Sequence, residues 1–292
     1  MSFMAATPPP PSAQRQPRAP FFVGWLKIPK ALRPFLAIVA AGLIGLLAGL
    51  AFALGAATDD PGDGRFRWDL GPQRFVGVLE ATPYPLLHLT EPSPHARSRT
   101  LLLAGVGKAG VQDRAVPLDG TLVETGGILL QRGSIDMLQV GQAGIVPVGA
   151  DAADGAASPA PAQRQAGTQE PAEAQELARL PAQVPAPVAL GRWRIAGELC
   201  DGKCYAGAMR PGDGLAHKAC ANLCLLGGLP LIFVTTRPVE GAEFLLVADP
   251  DGDPVPDAYR DYVALLVELE GDLERRGDIL VFKVDITTAK IL

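Results

Sequence analysis

The sequence predicts a mainly β protein, with a single N-terminal transmembrane helix followed by two duplicated small OB-like β-barrel modules. Three observations lead to this fold class. Residues 35–57 are uncharged and almost all apolar, which is long enough to cross a bilayer as a helix. Most of the remaining chain consists of short apolar or alternating segments separated by Gly and Asp, a pattern typical of strands. Two parts of the chain also repeat one another, and the second carries a helical, Cys-rich insertion.

The charges around the apolar segment predict its orientation. Residues 1–34 are Pro-rich and contain basic but no acidic residues, so we expect a disordered cytoplasmic tail. Acidic residues follow the segment at Asp59 and Asp60. The positive-inside rule then predicts a single-pass inner-membrane protein with its later domains in the periplasm. Gly45 and Gly49 are spaced for close helix packing, so a homodimer through this helix is also considered.

Two modules and a linker account for the chain after the helix. Residues 123–140 align without gaps to residues 267–284, with eight of 18 positions identical. We place the first module at 66–148 and the second at 189–292. Between them, residues 149–188 include 19 Ala or Pro residues. Such a segment cannot bury enough apolar surface to offset its ordering entropy, so we expect a mobile linker and two modules that fold independently.

The strand pattern is the basis for the OB-like assignment. Strands are expected near 73–80, 100–104, 120–130, 134–140, 192–200, 231–235, 244–248, 264–274 and 278–284. Gly133 and Gly277 mark the turn between the last two strands of each module. A short helix is expected near 259–265. A small barrel with a helix between two of its strands is the architecture of the OB-fold.

The cysteine-rich segment is the candidate functional site. It contains all four cysteines of the chain, one of its three histidines and one of its four methionines, namely Cys200, Cys204, Met209, His217, Cys220 and Cys224. The first module has no cysteine. Residues 215–226 are expected to form a helix, which would place His217, Cys220 and Cys224 on one face.

Three interpretations of these residues stay open. An oxidising compartment and an even number of cysteines favour two disulfides that run crosswise from Cys200 and Cys204 to the helix. Soft thiolates together with His217, and Met209 as a weaker ligand, favour a site for Cu or Zn. The third interpretation is a redox-active cysteine pair, which would depart from the usual C-x-x-C spacing.

The spacing of these residues also resembles a known motif. Cys-x3-Cys followed by His-x2-Cys-x3-Cys is similar to the motif of a family of uncharacterised membrane-anchored bacterial proteins, and the similarity covers residues 192–284. This resemblance implies an exported OB-like domain and carries no activity. We therefore expect a non-catalytic accessory protein that serves a membrane redox system. A metal-handling chaperone and a thiol-disulfide oxidoreductase are the alternatives.

Other features of the sequence are given no role at this stage. Charge is nearly balanced, with 26 basic and 31 acidic residues, so nucleic acid is not an expected partner. The segment Gly105-Val-Gly-Lys-Ala-Gly110 matches a dinucleotide fingerprint, but Pro117 leaves too short a helix after it. His88 and His95 lie in a Pro-rich stretch and are expected to be exposed.

Overall fold

A computed structural model describes residues 28–57, 62–148 and 183–292, which divide into two compact units at residue 58. In the first unit, helix α1 spans Arg33–Ala57 and follows a short 3-10 turn. The stretch Lys30–Leu54 is long and apolar enough to cross a membrane, in agreement with the predicted segment. Most of the predicted N-terminal tail, and residues 149–182 of the predicted linker, lie outside the described residues.

The second unit contains the strands of both modules. They are β1 (Arg65–Phe66), β2 (Gln73–Glu80), β3 (Leu86–Leu89), β4 (Thr100–Ala104), β5 (Leu122–Arg132), β6 (Ile135–Pro147), β7 (Val188–Asp201), β8 (Leu231–Val239), β9 (Ala242–Ala248), β10 (Leu266–Arg276) and β11 (Ile279–Ile291). All nine predicted strands are present. The predicted helix near 259–265 is a 3-10 helix at Asp257–Tyr262.

The two modules have the same strand pairing. In the first, β2 pairs antiparallel with β3 and β5, β3 with β4, and β5 with β6, whereas β4 and β6 run parallel. The second repeats this pattern with β7 to β11 in place of β2 to β6, and its five strands form a closed barrel. Strand β1 adds to the edge of β5. The repeat seen in the sequence therefore extends to the topology.

Strand β3 was not predicted, and this changes the position of His88. Prolines before and after the strand give the segment the composition of a loop. His88 is nevertheless buried, with its ring nitrogens 2.7 Å from a Glu80 oxygen and 3.1 Å from Thr100 Oγ1. The expectation that His88 is exposed was wrong, whereas His95 is exposed as expected.

The modules share a hydrophobic core, which explains why the strands of the first are apolar on both faces. Along β4, Leu101 and Leu103 belong to the first module's own core, whereas Leu102 and Ala104 pack in the core that contains the second module. Leu129 and Leu130 alternate in the same way along β5. Strands buried on both faces read as continuous apolar runs. The two modules therefore pack against each other through this core; their independent folding stays a prediction.

The insertion of the second module lies between β7 and β8. It consists of a π-helical turn (Cys204–Ala208), a 3-10 turn (Leu215–His217) and helix α3 (Lys218–Leu226). The last two confirm the predicted helix at 215–226. The equivalent connection in the first module, between β2 and β3, is only residues 81–85. The insertion is therefore an addition to a repeated scaffold.

Candidate metal centre

Three of the four cysteines form one sulfur cluster. The Sγ atoms of Cys204, Cys220 and Cys224 all lie within 4.8 Å of one another. Cys204 and Cys224 are buried, and their Sγ atoms are 3.8 Å apart. Cys220 is only partly buried and connects the cluster to the surface. Cys204 comes from the π-helical turn, and the other two lie one turn apart on α3. The turn and the helix thus supply sulfurs from opposite sides.

The fourth cysteine belongs to a second, adjacent cluster. Cys200, Asp201 and His217 are all buried, and their ligand-type atoms also lie within 4.8 Å of one another. Cys200 Sγ donates a hydrogen bond to the Gly212 carbonyl at 2.7 Å. Burial raises the pKa of the Cys200 thiol well above its ordinary value. The structure therefore divides the predicted ligand set, and Cys200 stays a neutral thiol apart from the three-sulfur cluster.

Asp201 holds the insertion in place. One carboxylate oxygen accepts the backbone N–H of Cys204 at 2.8 Å, and the other lies 2.9 Å from His217 Nε2. The first bond fixes the start of the π-helical turn, and the second ties that turn to the residue before α3. Side chains of Asp201 and His217 are essentially inaccessible to solvent. His217 thus orients the cysteine-bearing segments through Asp201, a role that its helical spacing did not reveal.

The first module contributes a charged side chain to the sulfur cluster. Lys108 Nζ lies 2.9 Å from Cys220 Sγ and 3.3 Å from Cys224 Sγ. Lys108 sits in the Gly105–Gly110 loop, which sequence analysis assigned no role. That loop is locked to the insertion, because Gly110 N donates to Gly227 O and Lys203 Nζ donates to the Gly105 and Gly107 carbonyls, at 2.6–2.8 Å.

Close packing explains the glycines at this contact. A Cβ on Gly227 would overlap the Lys108 carbonyl, and a Cβ on Gly110 would overlap the carbonyl of Gly228. Helix α2 (Gln112–Ala115) follows the loop, and Gln112 donates to the same Gly228 carbonyl at 2.6 Å. The glycines of the apparent dinucleotide fingerprint thus allow two modules to approach, and the following helix has only four residues.

The environment separates the charge states of the buried sulfurs. The pKa of Cys224 is lowered by a hydrogen bond with Cys204 and by the neighbouring Lys108 ammonium. The same hydrogen bond, together with burial, raises the pKa of Cys204. Hydrogen bonds to the Cys220 and Cys224 sulfurs raise the pKa of Lys108, so it stays protonated. Without a metal, the cluster therefore holds a thiolate at Cys224, a thiol at Cys204 and a cation beside them.

A small cavity of about 220 Å³ opens beside the buried pair. Cys204, Cys224 and Lys108 line it together with Met209 and Lys203. Burial lowers the pKa of Lys203 to about 8. Met209 is 44% exposed at the mouth, where its thioether is available as a further soft ligand. The cavity thus gives a small ion access to the sulfurs.

The crosswise disulfides expected from the sequence are not present. All four cysteines lie in the described residues, and all four are free. A disulfide requires its sulfur atoms to be about 2.05 Å apart, whereas Cys204 and Cys224 are separated by 3.8 Å. Cys200 is held by its bond to Gly212 and has Asp201 and His217 as neighbours. The attachment of the insertion comes from hydrogen bonds and packing instead.

Comparisons with known proteins add no assignment: no family model, curated protein or solved structure matches this chain. The site must be interpreted from its own geometry. Sequence reasoning found all three clustered cysteines and Met209 but missed Lys108, Asp201 and Lys203. Asp201, directly after Cys200, and Lys203, directly before Cys204, had a local signal in their positions, whereas Lys108 had none.

Proposed function

We propose that this chain is a membrane-anchored protein that binds and handles a soft metal ion, Cu(I) in first place, through Cys204, Cys220 and Cys224. The observation that carries the proposal is the mutual approach of the three sulfurs within 4.8 Å. Two thiolates bound to one metal at about 2.3 Å each lie about 3.8–4.0 Å apart. The Cys204–Cys224 separation of 3.8 Å matches that value.

The number and chemical type of the ligands favour Cu(I) over Zn(II). Structural zinc sites take four protein ligands, whereas this cluster has three sulfurs and His217 is engaged with Asp201. Thiolates and thioethers are the ligands that select Cu(I). Lys108 and Lys203 would offset part of the negative charge that the thiolates bring into a partly buried site.

The metal test compares the three clustered cysteines with the fourth. Full-length protein in detergent, kept reduced and anaerobic, is titrated with Cu(I) against a chromogenic chelator and separately with Zn(II). We expect one tightly bound Cu(I), and its affinity should fall at least a hundredfold in each of Cys204→Ser, Cys220→Ser and Cys224→Ser. Cys200→Ser is the matched control, because its hydroxyl keeps the bond to Gly212 and stays outside the cluster. Unchanged binding in all of the clustered variants would overturn the proposal.

A thiol-disulfide oxidoreductase is the second candidate, and the low pKa of Cys224 beside Cys204 favours it. A disulfide between these two residues would form by exchange with a substrate disulfide: the Cys224 thiolate attacks one substrate sulfur and releases the other as a thiol, and Cys204 then displaces the bound substrate sulfur as a second thiol while its own sulfur closes on Cys224 from 3.8 Å. Measuring the redox state in protein taken directly from cells distinguishes the two functions. A reversible Cys204–Cys224 disulfide without bound metal would support the oxidoreductase.

The proposed fold and membrane location of the site are those that the sequence predicts. We infer that the two β modules are OB-like barrels, because their pairing order and the 3-10 helix before β10 follow that topology.

We also propose that α1 anchors them to the inner membrane on the periplasmic side. Alkaline phosphatase fused to the C-terminus should be active, and an inactive fusion would reverse this orientation. Service to a membrane redox system stays a prediction.

A further inference from the structure

A second cavity, separate from the cysteine site, is lined by arginines. It measures about 590 Å³ and shares no lining residue with the cavity beside the sulfurs. Five arginines from four segments of the chain line it: Arg65, Arg67, Arg97, Arg132 and Arg210. Among the residues that the structure describes, Asp63 is the one acidic residue in this lining, and its side chain is 78% exposed. Such a concentration of guanidinium groups is not explained by the metal site.

Ion pairs hold four of these arginines in place. The pairs are Arg67–Asp69 at 2.8 Å, Arg97–Asp136 at 3.2 Å, Arg132–Asp213 at 3.5 Å and Arg210–Asp63 at 3.1 Å. Each carboxylate accepts from only some of the five N–H donors of its arginine's guanidinium group. The guanidinium groups are thus oriented in advance, and further donors remain for a ligand.

Two observations show that donor capacity is left over. Arg132 is largely buried over the Tyr205 ring, yet its Nε has no hydrogen-bond partner in the described part of the chain. Arg65 forms no ion pair or side-chain hydrogen bond with any described residue. Asp69, which is paired with Arg67, acts on the exposed Arg65 side chain only electrostatically and forms no ion pair with it. An anion in the cavity would face the charge of Arg65 and the guanidinium N–H donors of the other arginines that their carboxylates leave unused.

We propose that this arginine-lined cavity binds a phosphate-bearing ligand. Guanidinium forks match the oxygens of a phosphate in bidentate geometry. The cavity volume falls in the range of sites that hold a small organic ligand rather than a single inorganic ion. The phosphate has two possible sources, an anionic lipid headgroup or a soluble polyphosphate. Arg65 and Arg67 follow α1 by no more than ten residues, which favours the lipid.

The test uses full-length protein in non-ionic detergent and two probes. Inorganic pyrophosphate binding is measured by calorimetry. Retention of phosphatidylglycerol against phosphatidylcholine is measured by native mass spectrometry after addition of both lipids. We expect at least one probe to bind with a Kd below about 1 mM. Arg65→Gln combined with Arg210→Gln should weaken that binding by about tenfold or more, since two charge-assisted donors are removed.

The matched control removes two exposed arginines elsewhere, Arg74→Gln with Arg237→Gln, so the net charge changes equally. Arg65→Gln alone serves as a second variant, since Arg65 has no side-chain partner whose loss could disturb the fold. Binding of the lipid alone, or of pyrophosphate alone, supports the proposal and names the source. Absence of both would overturn it. An equal loss in the control variant would also overturn it, because the binding would then reflect surface charge in general.

Discussion

Replacing His217 with Ala tests whether this histidine positions the cysteines through Asp201. The change removes a bond of 2.9 Å to a carboxylate that has no solvent exposure. The backbone N–H and the thiol of Cys204 then remain as hydrogen-bond partners of that carboxylate. Breaking a buried pair by removing one partner costs about 3–5 kcal/mol. For a unit of this size, each kcal/mol lowers the Tm by about 2–4 °C, so we expect a fall of about 6–20 °C.

The assay is differential scanning fluorimetry of the reduced, metal-free protein in detergent. His95→Ala is the matched control, because His95 is exposed and should leave the Tm unchanged. Adding Asp201→Asn to His217→Ala removes the stranded charge and should recover part of the loss. The His217→Ala variant should also bind metal more weakly, although His217 is not a ligand, because Cys204 loses its anchor. A Tm within 2 °C of the wild-type value would refute the reasoning.

Two further predictions concern charges contributed across the module boundary. The pKa of Cys224 is lowered mainly by its hydrogen bond with Cys204 and, to a smaller extent, by the Lys108 ammonium. Lys108→Met removes that ammonium, so the pKa of Cys224 should rise. Alkylation of Cys224 by iodoacetamide at pH 7 should then slow by about tenfold. Lys108→Arg should stay close to the wild type, and identical rates in Lys108→Met would show that the ammonium has no effect. Arg276→Met removes the cation that buried Glu80 shares with half-buried Glu274, although His88 and Lys283 remain as their other partners. The loss of these charge-assisted bonds should cost about 1.5–3 kcal/mol in denaturant unfolding. Its half-buried neighbour Arg275 pairs loosely with Glu240 at 4.0 Å, so Arg275→Met should cost at most about 1 kcal/mol; equal costs would contradict the Arg276 interface pair.

Local pattern was enough to predict most of the scaffold. Apolar periodicity and Gly turns placed the strands, and the repeat placed the boundaries of β5 and β6 at the same spacing as those of β10 and β11. Strand β3 was not predicted, because its apolar segment is only four residues long and the prolines on both sides are typical of a loop. The same four residues carry His88, so the error about its burial has the same cause. Short strands depend on tertiary pairing more than on their own composition.

The site was predicted as a set of residues but not as an arrangement. Clustering of cysteines in the sequence identified the segment, and helical spacing placed Cys220 and Cys224 on one side of α3. Helical spacing also grouped His217 with them, whereas its ring is paired with Asp201. Lys108 stands 112 residues before Cys220, and no local pattern connects such distant positions. Contacts of this kind arise from the docking of one module on the other.

The position of Lys108 also limits how far the sequences of the two modules can diverge independently. A duplicate that lacks the cysteines would ordinarily be free to drift, since it holds none of the ligands. Here a substitution at Gly110 or Lys108 in that duplicate alters the surroundings of sulfurs in the other. We therefore expect that replacing one half with the equivalent half of a distant homologue would disturb the sulfur cluster unless its counterpart is replaced with it.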